Sequence, residues 1–420
     1  MNKLAVLAIL GLSFNAIASI ESTYFAPLDV KALHDLEVQV ERKGEAPSFA
    51  VPHKVKIDAV ASQNWEKSTN GLVWSHQITA PNAVSLNFGF SKFHLPEGAE
   101  LNIFSADRSE FIRTFTSADN NAARELWSPI IMSDDVIIEL TVPAGLENEV
   151  ELELGQVGQG FRTFGQKTLK SGSCNIDVAC SESKGWENEV NSVAVIATGG
   201  SRFCTGFMVN NTKNDKTPFF MTANHCRINS SSAPSLVTYW NYQTSKCGGA
   251  RDGKLTDFTT GSTFLAASAK SDFALVKLNQ TPNSSFNVKY AGWDASPGVS
   301  AKSVAIHHPN VDEKAISFDN DASQITSYGG TSAPGDSTHV RIVDWDKGTT
   351  EPGSSGSPLF NGETHRVIGQ LHGGGAACGN DLSDYYGRFN TSWNGDGSAS
   401  TRLKDHLDNA KTGSLVTDTI

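Results

Sequence analysis

Short runs in which apolar and polar residues alternate dominate the chain, and an alternation of period two is the mark of a half-buried strand. The first series is AVSLNFGF (83–90), ELNIFS (100–105), EFIRTF (110–115), DVIIELTV (135–142) and EVELELG (149–155). The second is SVAVIAT (192–198), TGFMVNN (205–211), FFMTA (219–223), SLVTYWNY (235–242), DFALVKL (272–278), KSVAIHH (302–308), HVRIVDW (339–345) and RVIGQLH (366–372). Helical spacing is confined to VKALHDLEVQVER (30–42) and ASTRLKDHLDNA (399–410). No repeat of fixed period emerges. The pattern predicts an all-β chain: a small β-sandwich first, then barrels or sandwiches closed by a C-terminal helix.

Length and cysteine placement divide this series into units. A chain of 420 residues calls for roughly two or three domains. All six cysteines lie after residue 173. Between the halves, GQGFRTFGQKTLKSGSC (158–174) has little hydrophobic periodicity and reads as a linker. The chain opens MNKLAVLAILGLSFNAIASIES, with Lys3 before an apolar run and Ala16-Ile17-Ala18 before Ser19. That is the pattern of a secretory signal peptide, too short and wrongly flanked for an anchor. The expected organisation is therefore a signal peptide (1–18), a β-rich proregion (19–170) and a second domain (171–420), with an extracellular destination and no membrane anchor. Export makes the cysteines a disulfide framework, for which six residues allow fifteen pairings; no spacing is that of a zinc site. The net charge of -11 excludes nucleic acid as the main partner, because phosphate binding needs clustered Lys and Arg.

Three segments of the second half carry chemistry. TANHC holds His225, SDFALVKL is headed by Asp272, and TEPGSSGSPLF (350–360) has three serines among glycines. A hydroxyl nucleophile needs a base beside it, a carboxylate behind the base and donors for the oxyanion. Singly, each segment reads equally well as a structural histidine, a strand-start aspartate or a loop. Together, in that order, they are specific. TA-x-HC, D-F-A-L-V-K-L and G-x-S-G-S-P resemble the motifs of chymotrypsin-fold serine proteases. Longer strings resemble the secreted bacterial branch typified by lysyl endopeptidase: SGSCNIDVAC (171–180), TYWNYQ (238–243), AIHHPN (305–310), GQLHGG (369–374) and SDYYGR (383–388).

The resemblance implies two six-stranded antiparallel β-barrels with a C-terminal helix, preceded by the sandwich-like proregion. It implies Ser355 as nucleophile, His225 as base and Asp272 behind it, with the N–H groups of Gly353 and Ser355 as the oxyanion hole; Ser357 is structural. It implies disulfides Cys174–Cys378, Cys180–Cys247 and Cys204–Cys226. Where digestive relatives carry an aspartate that pairs with a new N-terminus, this chain has Ser354, so activation should not use that ion pair. Where trypsin has its pocket acid, this chain has Thr349. Asp384 is the replacement implied by the resemblance, with Gly373 and Gly374 pairing with substrate backbone and His372 stacking beside the base. Tyr328 stands where that branch has a Trp. The expected activity is endopeptidase cleavage after lysine by a monomeric enzyme acting on proteins or peptides, without cofactor or metal. His307-His308 suggest no shared ion, since adjacent strand residues point to opposite faces. Lys170-Ser171 is a junction such an enzyme could cut itself. Two alternatives stand beside this reading: Arg-preferring or mixed cleavage, and a secreted binding protein on an inactive scaffold.

Overall fold

The computed structural model describes residues 20–41, 45–62, 64–69, 71–162 and 172–420. The signal peptide and the Lys170-Ser171 junction lie outside the described residues.

Residues 20–162 form two facing sheets. One runs Glu21–Tyr24, Gly71–Thr79, Asp135–Val142, Glu100–Ser105, Phe111–Phe115, with Trp65–Ser68 paired to Gly71–Thr79. The other runs Ala50–Asp58, Glu151–Gly160, Ser85–His94, Leu126–Trp127. Alternate residues point inward, as in Asp135–Val142, where Val136, Ile138, Leu140 and Val142 are all buried. Two of the longest strands, Ala50–Asp58 and Gly71–Thr79, escaped the hydrophobic pattern. Their alternation is real, with Val51, His53, Val55 and Ile57 in the first and Trp74, His76 and Ile78 in the second turned inward; the buried His76 bonds Thr23 Oγ1 at 2.9 Å. The helix expected at 30–42 is present as Val30–Glu41.

Residues 172–420 form a seven-stranded and a ten-stranded sheet. These exceed the two six-stranded barrels expected, because short edge pieces such as Ile176–Asp177, Trp293–Asp294, Gln324–Thr326 and Val416–Thr417 pair onto the main strands. The expected C-terminal helix is broken into a turn at Ala399–Thr401 and a single helical turn at Lys404–Leu407, with Leu403 and Leu407 buried. A further helix, Phe389–Asn394, places Phe389 and Trp393 against Trp293 (ring centroids 5.6 and 4.5 Å), the i, i+4 pairing of one helix face. The cystines join Cys174 to Cys378, Cys180 to Cys247 and Cys204 to Cys226.

The two units share a core. Phe49, Phe88, Phe115, Ile130 and Ile131 of the first pack in one cluster with Val195, Phe203, Val237, Tyr239, Tyr242 and Phe258 of the second. Several polar groups pair across the seam. Tyr239 Oη accepts from Ile130 N (3.0 Å), and the Gly199 and Gly200 carbonyls accept from Gln156 and Asn87. Ser48 bridges Arg202 in antiparallel fashion, with Phe49 N donating to Ser201 O (2.8 Å) and Phe203 N to Pro47 O (3.1 Å).

Candidate active site

The cleft forms where the two sheets of the second unit meet. Strand Phe219–Ala223 ends in a tight turn, Asn224–Cys226. The Cys204–Cys226 cystine pins this turn to the neighbouring strand Arg202–Met208 and so fixes His225. Ala223 pairs with Phe273 across the sheet, which brings the residue before that strand, Asp272, beside His225. Asp272 is 2% exposed. Its Oδ2 lies 2.7 Å from His225 Nδ1 and its Oδ1 accepts from His225 N at 2.9 Å. An ionised carboxylate only accepts, so Nδ1 carries the ring proton and Nε2 is the free base. Nε2 is buried and has no hydrogen-bond partner among the described residues.

The serine-rich turn is held against the same strands. Gly353 and Gly356 have φ of +95° and +83°, in the left-handed region that glycine tolerates. A Cβ on Gly356 would sit 2.4 Å from Thr205 O, and one on Gly353 would press into the Phe203 ring at 2.9 Å. Thr205 N donates to Ser355 O (2.9 Å) and Thr205 Oγ1 to Gly353 O (2.9 Å). The N–H groups of Gly353 and Ser355 have no partner among the described residues, whereas those of Ser354, Gly356 and Ser357 are bonded to Glu351 O, Leu371 O and Ser354 O.

Ser354 is tied down by a neutral chain. Ser317 Oγ donates to Thr349 O (2.8 Å), so it accepts from His307 Nε2 (3.1 Å); His307 Nδ1 is then the acceptor for Ser354 Oγ at 2.8 Å. Burial holds the His307 pKa down to about 3. The linkage is destabilising in acid: below its ordinary pKa the unfolded chain binds a proton that the native state refuses until about pH 3. Stability is thus intact above pH 6.5 and falls with pH from there, by about 1.4 kcal/mol per pH unit for one proton. Urea unfolding should show His307→Gln losing roughly 2 kcal/mol less than the parent between pH 6.5 and 4.5; an equal loss in both would remove His307 as the source. His308 has other partners, stacking on Tyr242 and bonding Asp312 O.

Beside Ser355 opens a cavity of about 300 Å³ lined by Tyr328, Thr350, Gly353, Ser355, Gly373 and Asp384, with Glu45 of the first unit at its edge. Asp384 is 1% exposed; its Oδ2 accepts from Thr350 Oγ1 (2.7 Å) and Trp345 Nε1 (2.8 Å). Burial pushes its carboxyl up from the usual range, against the pull of those donors. A buried carboxylate facing a cavity is matched by a cationic side chain entering it. The registers Gly374↔Asp384 and Ile342↔Asp384 set this wall.

His372 lies over His225 (centroids 5.6 Å), sandwiched by Tyr328 at 3.7 Å. His225, Asp272 and His372 offer ligand atoms within 4.8 Å of one another, but Nδ1 of each ring is already hydrogen-bonded, to Asp272 and to His339. The structure thus gathers His225, Asp272, Gly353, Ser355, Asp384, His372, Gly373, Gly374 and Tyr328 around one cleft. Sequence reading missed Trp345 and Thr350, which orient Asp384, and His339, which holds His372. His339 lies in the alternating run HVRIVDW on the same face as the charged Arg341, so hydropathy gave no signal for it.

Comparison with known proteins gives the family. Residues 25–158 match the model of the lysyl endopeptidase N-terminal domain and residues 168–387 that of the lysyl endopeptidase C-terminal domain. A lysyl endopeptidase of Pseudomonas aeruginosa is 30% identical over 417 residues, covering 92% of this chain and 86% of that protein. A secreted RxLR effector protein of Plasmopara viticola is 26% identical, covering 77% of this chain and 82% of its own. Among solved structures, a thermostable serine protease from an extremophilic microorganism is 15% identical with a TM-score of 0.34, covering 54% of this chain and all (100%) of that one. The class is that of the serine endopeptidases. Within it, the chain belongs to the lysyl endopeptidase family.

Proposed function

We propose that this endopeptidase cleaves on the carboxyl side of lysine, with Ser355, His225 and Asp272 as its triad. The observation that carries the specificity is the Asp384 carboxylate, buried at the wall of the cavity beside Ser355 and held by Thr350 and Trp345. A lysine side chain entering that cavity brings its ammonium to the carboxylate and its scissile carbonyl to Ser355. Ser355 Oγ attacks that carbonyl while His225 Nε2 takes its proton, and Asp272 stabilises the imidazolium. The two unpartnered N–H groups of Gly353 and Ser355 receive the oxyanion; each such donor typically contributes about 3–4 kcal/mol in the transition state. His225 returns the proton to the leaving amine; water, deprotonated by His225 Nε2, then attacks the acyl carbonyl, and as the ester bond to Ser355 breaks His225 gives that proton to Ser355 Oγ.

Residues 19–170 act in this reading as a proregion on a secreted precursor. In support, Ala46 and Phe49 are buried, the stretch between them pairs with Ser201–Phe203 along one rim of the cleft, and Glu45 pairs with Arg227 (2.7 Å) two residues after His225. Cut sites mapped in a denatured protein mixture test the specificity. Cuts after lysine are expected; cuts mainly after arginine or acidic residues would overturn it. N-terminal sequencing of the secreted protein should give a start at Ser171, whereas a start near Ser19 would mean a retained domain.

A further inference from the structure

The hydrogen bonds behind His372 form a directed chain. Asp336 Oδ1 accepts from Thr338 Oγ1 at 2.7 Å and from Thr338 N at 3.1 Å. Those bonds favour the ionised carboxylate and hold its pKa below the usual range. A hydroxyl has one proton, and the charge-assisted bond to Asp336 takes it. Thr338 Oγ1 therefore accepts from the next group, His339 Nδ1, at 2.7 Å. With its proton on Nδ1, neutral His339 turns a bare Nε2 to His372 Nδ1, 2.9 Å away. His372 must donate there. Its remaining nitrogen, Nε2, is then bare, and it lies 3.8 Å from Asp272 Oδ2, the same oxygen that binds His225 Nδ1.

We infer that His339 is a positioning residue of the active site, fixing His372 as the Nδ1–H tautomer so that Asp272 Oδ2 is left to His225 alone. The inference rests on the triad proposed above. Its physical content is a competition that is prevented. The opposite tautomer would turn an N–H of His372 toward Asp272, draw charge from that oxygen and weaken its hold on the His225 imidazolium that forms during reaction. Burial keeps both histidines below the ordinary histidine pKa, His339 at about 4, so both are neutral at neutral pH. The titratable groups facing the pair are Tyr328, stacked on His372 and tilted against His339, then His225 and Asp272, and Asp336 through Thr338.

Two measurements on the enzyme produced from the full chain test this. In ¹⁵N-histidine-labelled enzyme at neutral pH, His372 is expected to show a protonated Nδ1 and a bare Nε2; a protonated Nε2 would overturn the inference without any variant. In the pH dependence of kcat/KM on a lysine ester, the acid limb reports the base. His339→Leu frees His372 to turn its N–H to Asp272, so the limb should move to lower pH by about half a unit or more while kcat falls several-fold and KM holds. His339→Gln, whose amide oxygen can accept from His372 Nδ1, should restore the parent profile. An unmoved limb in His339→Leu, or a Gln variant that matches the Leu variant, would reject the role. If the parent enzyme itself does not hydrolyse the ester, the triad reading fails, and the tautomer measurement still decides the part played by His339.

Discussion

Replacing Ser355 with alanine should lower kcat on a lysine ester by about a million-fold, leaving only the ~10³–10⁴-fold advantage over water that oxyanion donors and substrate binding supply. The turn offers three serines, and their surroundings differ. Ser354 is fully buried (0% exposed) with its hydroxyl bonded to His307. Ser357 is also at 0%, and its hydroxyl is buried without a partner among the described residues. Ser355 alone lines the cavity. Ser357→Ala should therefore leave kcat nearly unchanged. Ser354→Ala removes one bond of the His307 chain and should act mainly on stability, by about 1 kcal/mol. Full ester hydrolysis by the Ser355→Ala enzyme would show that the nucleophile lies elsewhere.

The second large effect is expected from Asp384→Asn. The amide is nearly isosteric, so the pocket keeps its shape, but it must keep its oxygen toward Thr350 and Trp345 and so turns an NH₂ toward the substrate. An ammonium entering there meets a dipole of the wrong sign and no counter-charge. Removing one partner of a buried pair costs about 3–5 kcal/mol, which is roughly two to four orders of magnitude in kcat/KM for lysine substrates. Unfolding in urea and cleavage after an uncharged residue should change little. Undiminished lysine cleavage would take Asp384 out of the pocket. The raised pKa of this carboxyl adds a pH test with a definite sign. As pH falls through that raised value the free pocket becomes neutral, so KM for lysine substrates should rise earlier in acid than an ordinary aspartate would dictate.

What could be read in the sequence was local, and what could not depended on pairing between distant strands. His225, Asp272 and Ser355 sit in short strings whose residues act on their neighbours: a cysteine beside the histidine, glycines around the serine. Thr350 and Trp345 look like any loop threonine and strand tryptophan until the strand His339–Ile342 is set against Asp384–Arg388, which brings Ile342 opposite Asp384. His339 meets His372 across the same sheet, from 33 residues away. The strand Gly71–Thr79 was obscured for a related reason: its buried His76 counts as polar in a hydropathy pattern, although its partner Thr23 in another strand makes it an interior residue. The C-terminal helix was overextended because its spacing holds over 399–410, whereas the backbone is extended at Arg402 (φ -144°, ψ 153°), which ends the first turn and breaks the helix.

The core shared by the two units separates two events that a single cut might seem to join. Breaking one peptide bond between residues 162 and 172 removes none of the contacts that seat Phe49, Phe115 and Ile130 against Phe203, Tyr239 and Phe258. It only turns an intramolecular association into a bimolecular one. From then on the fraction of enzyme still carrying residues 20–162 obeys mass action. Concentration keeps the two units paired, and dilution alone can part them, with no further chemistry.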